Sequence, residues 1–212
     1  GGTSEWYEYD RGRSSRTKDR AWREWCKRNN KTDAGPDVPP ENELGKARHD
    51  NAIYDPAVEP EKIYYWRFHN EIVASALLHF ARNARMHVPK QTEIGVFFGY
   101  YLVAGHRLVS FGHLDYERVF ASPDIDFVIG PGCYDDRAIG GGSGAQFVHG
   151  TVDRYGKRSL HEIDHRTHLI AKPWKSREDD LAGLTREAAF ALVNRMSYWW
   201  FDMWGGWYQE TA

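Results

Sequence analysis

The sharpest chemistry-bearing cluster in the sequence is His161-Glu162-Ile163-Asp164-His165, which fits H-E-x-x-H. On a helix, two histidines four apart share a face and can hold zinc, with the glutamate as general base. The flanks read differently. Gly156-Lys157-Arg158-Ser159-Leu160 looks like the approach to a β-strand, where residues four apart are separated by roughly 13 Å. Asp164 and Arg166 would also put charges where a zinc-peptidase helix packs, and the third ligand would have to come from elsewhere, for example Glu187. No metal and no cofactor is therefore expected. On the strand reading, Glu162 stands at the carboxyl end of a buried strand as a carboxylate nucleophile, held ionised by a neighbouring Arg or Tyr donor. The ordinary alternative is a solvated or salt-bridged acid. Glycoside hydrolysis needs a second carboxyl about 5–5.5 Å away for retention, or roughly 6.5–9.5 Å for inversion. With 30 Asp and Glu residues in the chain, the residues alone leave that partner open.

The elements that must position these groups follow from periodicity. Thr17 to Asn29 carries Trp22 and Trp25 among charges and predicts a short amphipathic helix, with Thr17 or Ser15 as N-cap. Asn30 to Pro60 holds five prolines and little apolar periodicity, and reads as a long ordered loop. Glu61 to His87 has apolar residues mostly three and four apart and predicts the best helix of the chain. Glu93 to Val103 (EIGVFFGYYLV) and Ile125 to Ile129 predict strands buried on both faces. Leu114 to Ala121 predicts a short helix, Arg158 to Ile163 a third strand, Leu184 to Arg195 a helix and Ser197 to Met203 a fourth strand. The alternation implies a parallel α/β sheet. Functional residues then cluster at the carboxyl ends of the strands, at Tyr100-Tyr101, Gly130 to Tyr134, Glu162 to Asp164, and Asp202.

Composition narrows the partners. The chain has 212 residues, 28 Lys and Arg against 30 Asp and Glu, and a net charge of −2. That balance argues against a protein that coats nucleic acid or an anionic membrane. The longest nearly apolar run, Ile94 to Gly105, ends at His106 and falls short of the roughly 18 residues that span a bilayer. Cys26 and Cys133 are too few for a disulfide framework and read as reduced thiols. The unusual feature is 9 Trp, 12 Tyr and 10 Phe. These build a large core, or a surface that stacks on flat apolar faces such as sugar rings, which near-zero net charge favours over nucleobases.

Four stretches in order together resemble the catalytic barrel of clan A glycoside hydrolases, in the bacterial β-galactosidase-like group related to family 42. EIGVFFGYYL resembles the fifth barrel strand. GHLDYERVFASPDIDFVIGPGCYDDRAIGG resembles the region of strand six. GKRSLHEIDHRT resembles the E-x-D-x-R-T segment of strand seven, and SYWWFDMWGGWY strand eight with its aromatic sugar platform. The resemblance covers most of the chain from about Glu61 onward. It implies a (β/α)8 TIM-barrel type of α/β fold and a retaining double displacement. Glu162 matches the nucleophile. Gly1-Gly2-Thr3-Ser4-Glu5-Trp6 resembles the end of strand four, where a Glu before an aromatic is the acid/base, here Glu5. Glu5 would protonate the glycosidic oxygen while Glu162 attacks the anomeric carbon, then activate water against the glycosyl-enzyme. Tyr134 is placed to donate to Glu162, and Arg166 or Arg137 to hold it ionised. Asp164 and Tyr100 are further candidate substrate contacts. Trp199, Trp200, Trp204 and Trp207 are candidates for stacking on the sugar, with Trp200 and Trp204 preferred. Alternation forbids Trp199 and Trp200 from sharing a face.

A complete barrel takes eight strands and about 250 residues, whereas only strands four to eight, about five βα units, can be placed here. The chain is expected to be one domain over 1–212, an incomplete barrel with a long Pro-rich loop at about 30–60. It begins at Gly1 without an initiator Met, which fits a processed form or a piece of something longer. A missing N-terminal segment or a second chain would complete the barrel. The expected partner is a carbohydrate substrate, with no nucleic acid and no membrane. The competing readings are a non-catalytic carbohydrate-binding half-barrel and, further off, the zinc peptidase.

Overall fold

A computed structural model describes residues 14–44, 54–100, 108–134, 137–142, 144–169, 174–203 and 205–208. The chain divides into two compact units. The first holds the described residues up to Leu77 together with those from Leu108 to Asp115, and the second holds the remainder.

The first unit is helical. Helix α1 spans Arg16–Arg28, and the Ser15 side chain caps it by accepting the Lys18 N–H at 3.2 Å. Lys27 and Arg28 occupy its last turn, where cations oppose the helix dipole. Asn30 then takes a left-handed conformation (φ 54°) that asparagine tolerates. Helix α2 is a single turn, Glu41–Leu44, inside the segment expected to be loop. The long helix α3, Pro60–His87, contributes its first half here. Trp22 and Trp25 stack at 5.7 Å and 9°, and both meet Phe68 of α3 edge-on. Their indole N–H groups are satisfied by the Gly35 carbonyl at 3.1 Å and by Glu71 Oε2 at 2.6 Å. Burying such a ring stabilises by about 1.5–3 kcal/mol. For Trp22, Trp25, Tyr65, Trp66 and Phe68, which form a buried cluster, the aromatic excess is core. The Cys26 thiol lies in the same cluster, and burial together with Glu61 and Asp33 pushes its pKa up to about 11. Cys26 and Cys133 are both free thiols.

The second unit is an α/β layer. Strands β1 (Gly95–Phe97), β2 (Phe127–Pro131), β3 (Arg158–Ile163) and β4 (Ser197–Trp200) form one sheet, all parallel, in the order β1-β2-β3-β4. Helices α4 (Tyr116–Ala121), α5 (His149–Arg154) and α6 (Arg177–Val193) lie in the connections. The strands β1, β3 and β4 fall within segments expected to be strand, β2 lies two residues further along than expected, and β1 and β4 are shorter than expected. Helix α5 was not expected, and α6 starts seven residues before the expected Leu184. Its first turn carries Glu178, Asp179 and Asp180 under a Ser176 cap, so dipole and capping start the helix before its apolar periodicity does.

In β2 and β3 one face is buried along its whole length, whereas the other is buried only at its carboxyl end, at Pro131 and Glu162. In β2 and β3, Val128, Gly130, Ser159, His161 and Ile163 are buried, whereas Phe127, Ile129 and Leu160 are half-buried and Arg158 is exposed. The buried face is the one on which His161 meets Phe190 of α6. The other face of the sheet stays half-open. Where the strands begin, Asp126 accepts the Ile94 N–H at 2.7 Å and pairs with Arg85 of α3. Lys157 donates to the carbonyls of Ser122 and Ile125, both at 2.7 Å. At Gly95 the Phe127 ring fills the place of a side chain, its Cε2 lying 2.1 Å from where a Cβ would stand. Among the described residues no helix is long and apolar enough to cross a membrane.

Candidate functional site

Glu162 is the penultimate residue of β3 and is 2% exposed. Its neighbours in register are Pro131 of β2 and Trp199 of β4. Alternation puts Glu162 with Leu160 and Trp199 on the half-open face, and His161, Ile163, Tyr198 and Trp200 on the helix-covered one. Trp199 stacks on Phe201 two residues on, at 5.1 Å, and Trp200 meets Tyr198 at 5.6 Å, as that alternation requires. Trp200 therefore leaves the face opposite Glu162, and Trp199 leaves the same one.

The backbone around Glu162 is fixed from both sides. Gly132, just past β2, donates its N–H to the Glu162 carbonyl at 3.2 Å, and Phe201 donates to the Ile163 carbonyl at 2.9 Å. The Tyr208 hydroxyl stands 3.0 Å from the Ile163 carbonyl and 3.2 Å from that of His165, and its single proton serves one or the other. Burial raises the pKa of this phenol, helped by the negative charges of Asp164, Asp202 and Glu162 and opposed by Arg137. Tyr208 thus stays a neutral donor beside a group of carboxylates. Asp164, two residues beyond Glu162, forms a buried ion pair with Arg137 at 2.6 Å.

On the helix side lies a second polar group. His161 Nε2 is 3.3 Å from Glu187 Oε2, and His165 Nε2 is 3.3 Å from Glu187 Oε1. All three side chains are at most 2% exposed. Arg186 holds the same Glu187 Oε1 through Nε at 3.1 Å and Nη2 at 3.0 Å. The His165 ring stacks on Trp174 at 5.2 Å. Burial lowers its pKa, reinforced by Arg137 and opposed by Glu187 and Asp164. Gly132 leaves room for both rings, since a Cβ there would come within 3.3 Å of each imidazole. The motif His161-Glu162-x-x-His165 is therefore not helical. Its first three residues are in β3, and both Nε2 atoms lie 3.3 Å from a carboxylate that an arginine already holds. Among the described residues no group of three or more His, Cys, Asp or Glu side chains could hold a metal ion.

The expected site residues distribute as follows. Glu162 and Asp164 lie at the carboxyl end of β3, Asp164 paired with Arg137. Tyr134 is 41% exposed and its ring lies under the Arg137 guanidinium, 4.4 Å from centroid to carbon. Tyr100 is buried and bridges to Phe147. Arg166 is exposed and sits over the Trp207 ring at 5.8 Å. Glu5, Trp204 and Tyr101 lie outside the described residues. Sequence reasoning missed Tyr208 and Arg186. Tyr208 closes an aromatic run, and nothing local marks it as the donor to β3.

No protein-family model, curated protein or solved structure matches the chain.

Proposed function

We propose that the chain is the catalytic part of a retaining glycosidase acting on a β-linked sugar, β-galactosidase-like, with Glu162 as nucleophile. The observation that carries this reading is the placement of Glu162. It is a nearly fully buried carboxylate at the carboxyl end of a parallel strand, on the face that the helices leave half-open. A TIM barrel presents catalytic groups at that end of its strands. On this reading β1 to β4 are the fifth to eighth strands of a barrel whose interior is the half-open face. The exposure of Tyr198, Trp199 and Trp200 on the edge strand β4 supports a further segment or a second chain completing it.

In the first step a Glu162 oxygen bonds to the anomeric carbon while the bond from that carbon to the leaving oxygen breaks, and the acid/base delivers its proton to that oxygen. In the second, water gives a proton to the same acid/base and its oxygen displaces Glu162 from the sugar. By the resemblance that acid/base is Glu5. Trp199, on the face of Glu162, is the stacking platform this geometry favours.

The test is a mechanism-based 2-deoxy-2-fluoro-β-galactoside followed by peptide mass spectrometry. A single adduct on Glu162, and turnover lowered at least about 10³-fold by Glu162→Gln, is the expected outcome. Sugar binding without turnover, unchanged by Glu162→Gln, would overturn it in favour of a non-catalytic carbohydrate-binding role.

A further inference from the structure

Arg137 comes from the loop after β2, yet only 13% of its side chain is exposed, against 5% for Asp164. Its guanidinium makes four hydrogen bonds. Nε donates to the Cys133 carbonyl at 2.9 Å and Nη1 to the Asp164 carbonyl at 3.3 Å, while Nη2 donates to the Gly132 carbonyl at 3.1 Å and to Asp164 Oδ1 at 2.6 Å. Gly132 is the residue whose N–H holds the Glu162 carbonyl. Asp164 lies two residues past Glu162. One planar group therefore ties the peptide that donates to Glu162 from the neighbouring strand to the residue two past Glu162.

The loop that carries Arg137 is itself anchored. The Arg137 carbonyl accepts from Trp174 Nε1 at 2.9 Å and from Arg186 Nη2 at 3.3 Å, and the Ala138 and Gly141 carbonyls accept from Arg186 Nη1. Gln146 Nε2 adds a second donor to the Gly132 carbonyl at 3.0 Å. A lysine has no fork with which to reach these separated acceptors. Loss of the cation would leave the Asp164 carboxylate buried without its counter-ion.

We infer that Arg137 is a positioning residue for Glu162: by tying the Gly132 and Asp164 peptides with one guanidinium, it sets the direction in which the end of β3 presents the nucleophile. Asp164 is then the counter-ion of this clamp and not a sugar ligand. The inference rests on the glycosidase reading above.

The test compares the full chain with Arg137→Met, Arg137→Lys and the double variant Arg137→Met/Asp164→Asn, using 4-nitrophenyl β-D-galactopyranoside and amide hydrogen exchange. In Arg137→Met, kcat falls about 10²-fold, as expected for a displaced reacting group, while KM stays within about threefold. Arg137→Lys recovers part of the loss. Exchange rises about tenfold or more over 162–168 and not across the rest of the sheet. The double variant removes the stranded carboxylate and gives the same kinetic comparison if the single one folds poorly.

A kcat within about threefold of the unmodified chain, or faster exchange spread over the whole sheet, overturns the inference. If the unmodified chain neither hydrolyses the probe nor takes the fluoroglycoside label, the glycosidase reading falls and this role falls with it. Normal activity in both the unmodified chain and Arg137→Met removes only the positioning role.

Discussion

Glu162 and Trp199 are register partners across β3 and β4, so their side chains leave the same face of the sheet. Trp200 leaves the other face with Ile163. The two adjacent tryptophans are nearly equally exposed, at 38% and 44%, so exposure does not separate them. Register does.

That difference gives a kinetic prediction. On the proposed glycosidase function, Trp199→Ala is expected to raise KM for an aryl β-galactoside about tenfold, which corresponds to about 1.4 kcal/mol and matches the upper range for an aromatic contact. Trp200→Ala changes it less than about twofold. Steady-state kinetics on the two variants checks this, and the reverse ranking would put the sugar on the helix-covered face.

The buried histidines predict how stability depends on pH. The pKa of His165 is held below its ordinary 6.5 by burial, with Arg137 acting in the same direction and Glu187 and Asp164 against it. Below that ordinary value the unfolded chain takes up a proton that folded His165 refuses. Stability therefore falls as pH drops from 6.5 toward the folded-state value, and levels off beneath it. His149 is shifted down by burial and by His161, and adds to the same limb. Denaturant midpoints measured between pH 7.5 and 5 should fall less steeply in His165→Gln than in the unmodified chain. Equal slopes would show that His165 takes up its proton as easily folded as unfolded.

Gly183 in α6 predicts a packing defect. A Cβ there would stand 2.0 Å from Trp174 Cζ2. Trp174 is 1% exposed and its indole N–H is bonded to the Arg137 carbonyl, so it cannot withdraw freely. Gly183→Ala gains about 1 kcal/mol of helix propensity but loses more to overpacking, for a net destabilisation of about 1–2 kcal/mol. Chemical denaturation measures this. A stabilised variant would show that Trp174 moves without cost.

Much of the fold was legible along the chain. The tryptophan spacing in α1, the apolar rows of α3 and the β-branched runs of β1 to β3 carry their own periodicity, and periodicity is local. The first turns of α6 and all of α5 were not legible. The Ser176 cap starts REDDLAG as helix, whereas HGTVDR has no side-chain cap and is helical without an apolar stripe, burying only Val152.

The site divides in the same way. Glu162 could be singled out from the strand ending at Ile163 and from the motif around it, because both depend on neighbours in sequence. That His161 and His165 converge on Glu187, 26 and 22 residues further on, depends on how α6 packs against β3. That Arg137 grips Asp164, and that Tyr208 reaches back over the end of β3, depends on loops from separate strands meeting at one end of the sheet. The sequence by itself determined the element types, the strand ends and the acid that stands at one of them. The tertiary structure alone decided which face of the sheet is covered, which tryptophan shares that face with Glu162 and which cation holds the strand end. Hydrophobic periodicity encodes what each segment buries, but the partners of polar side chains are set by long-range packing that no local pattern records.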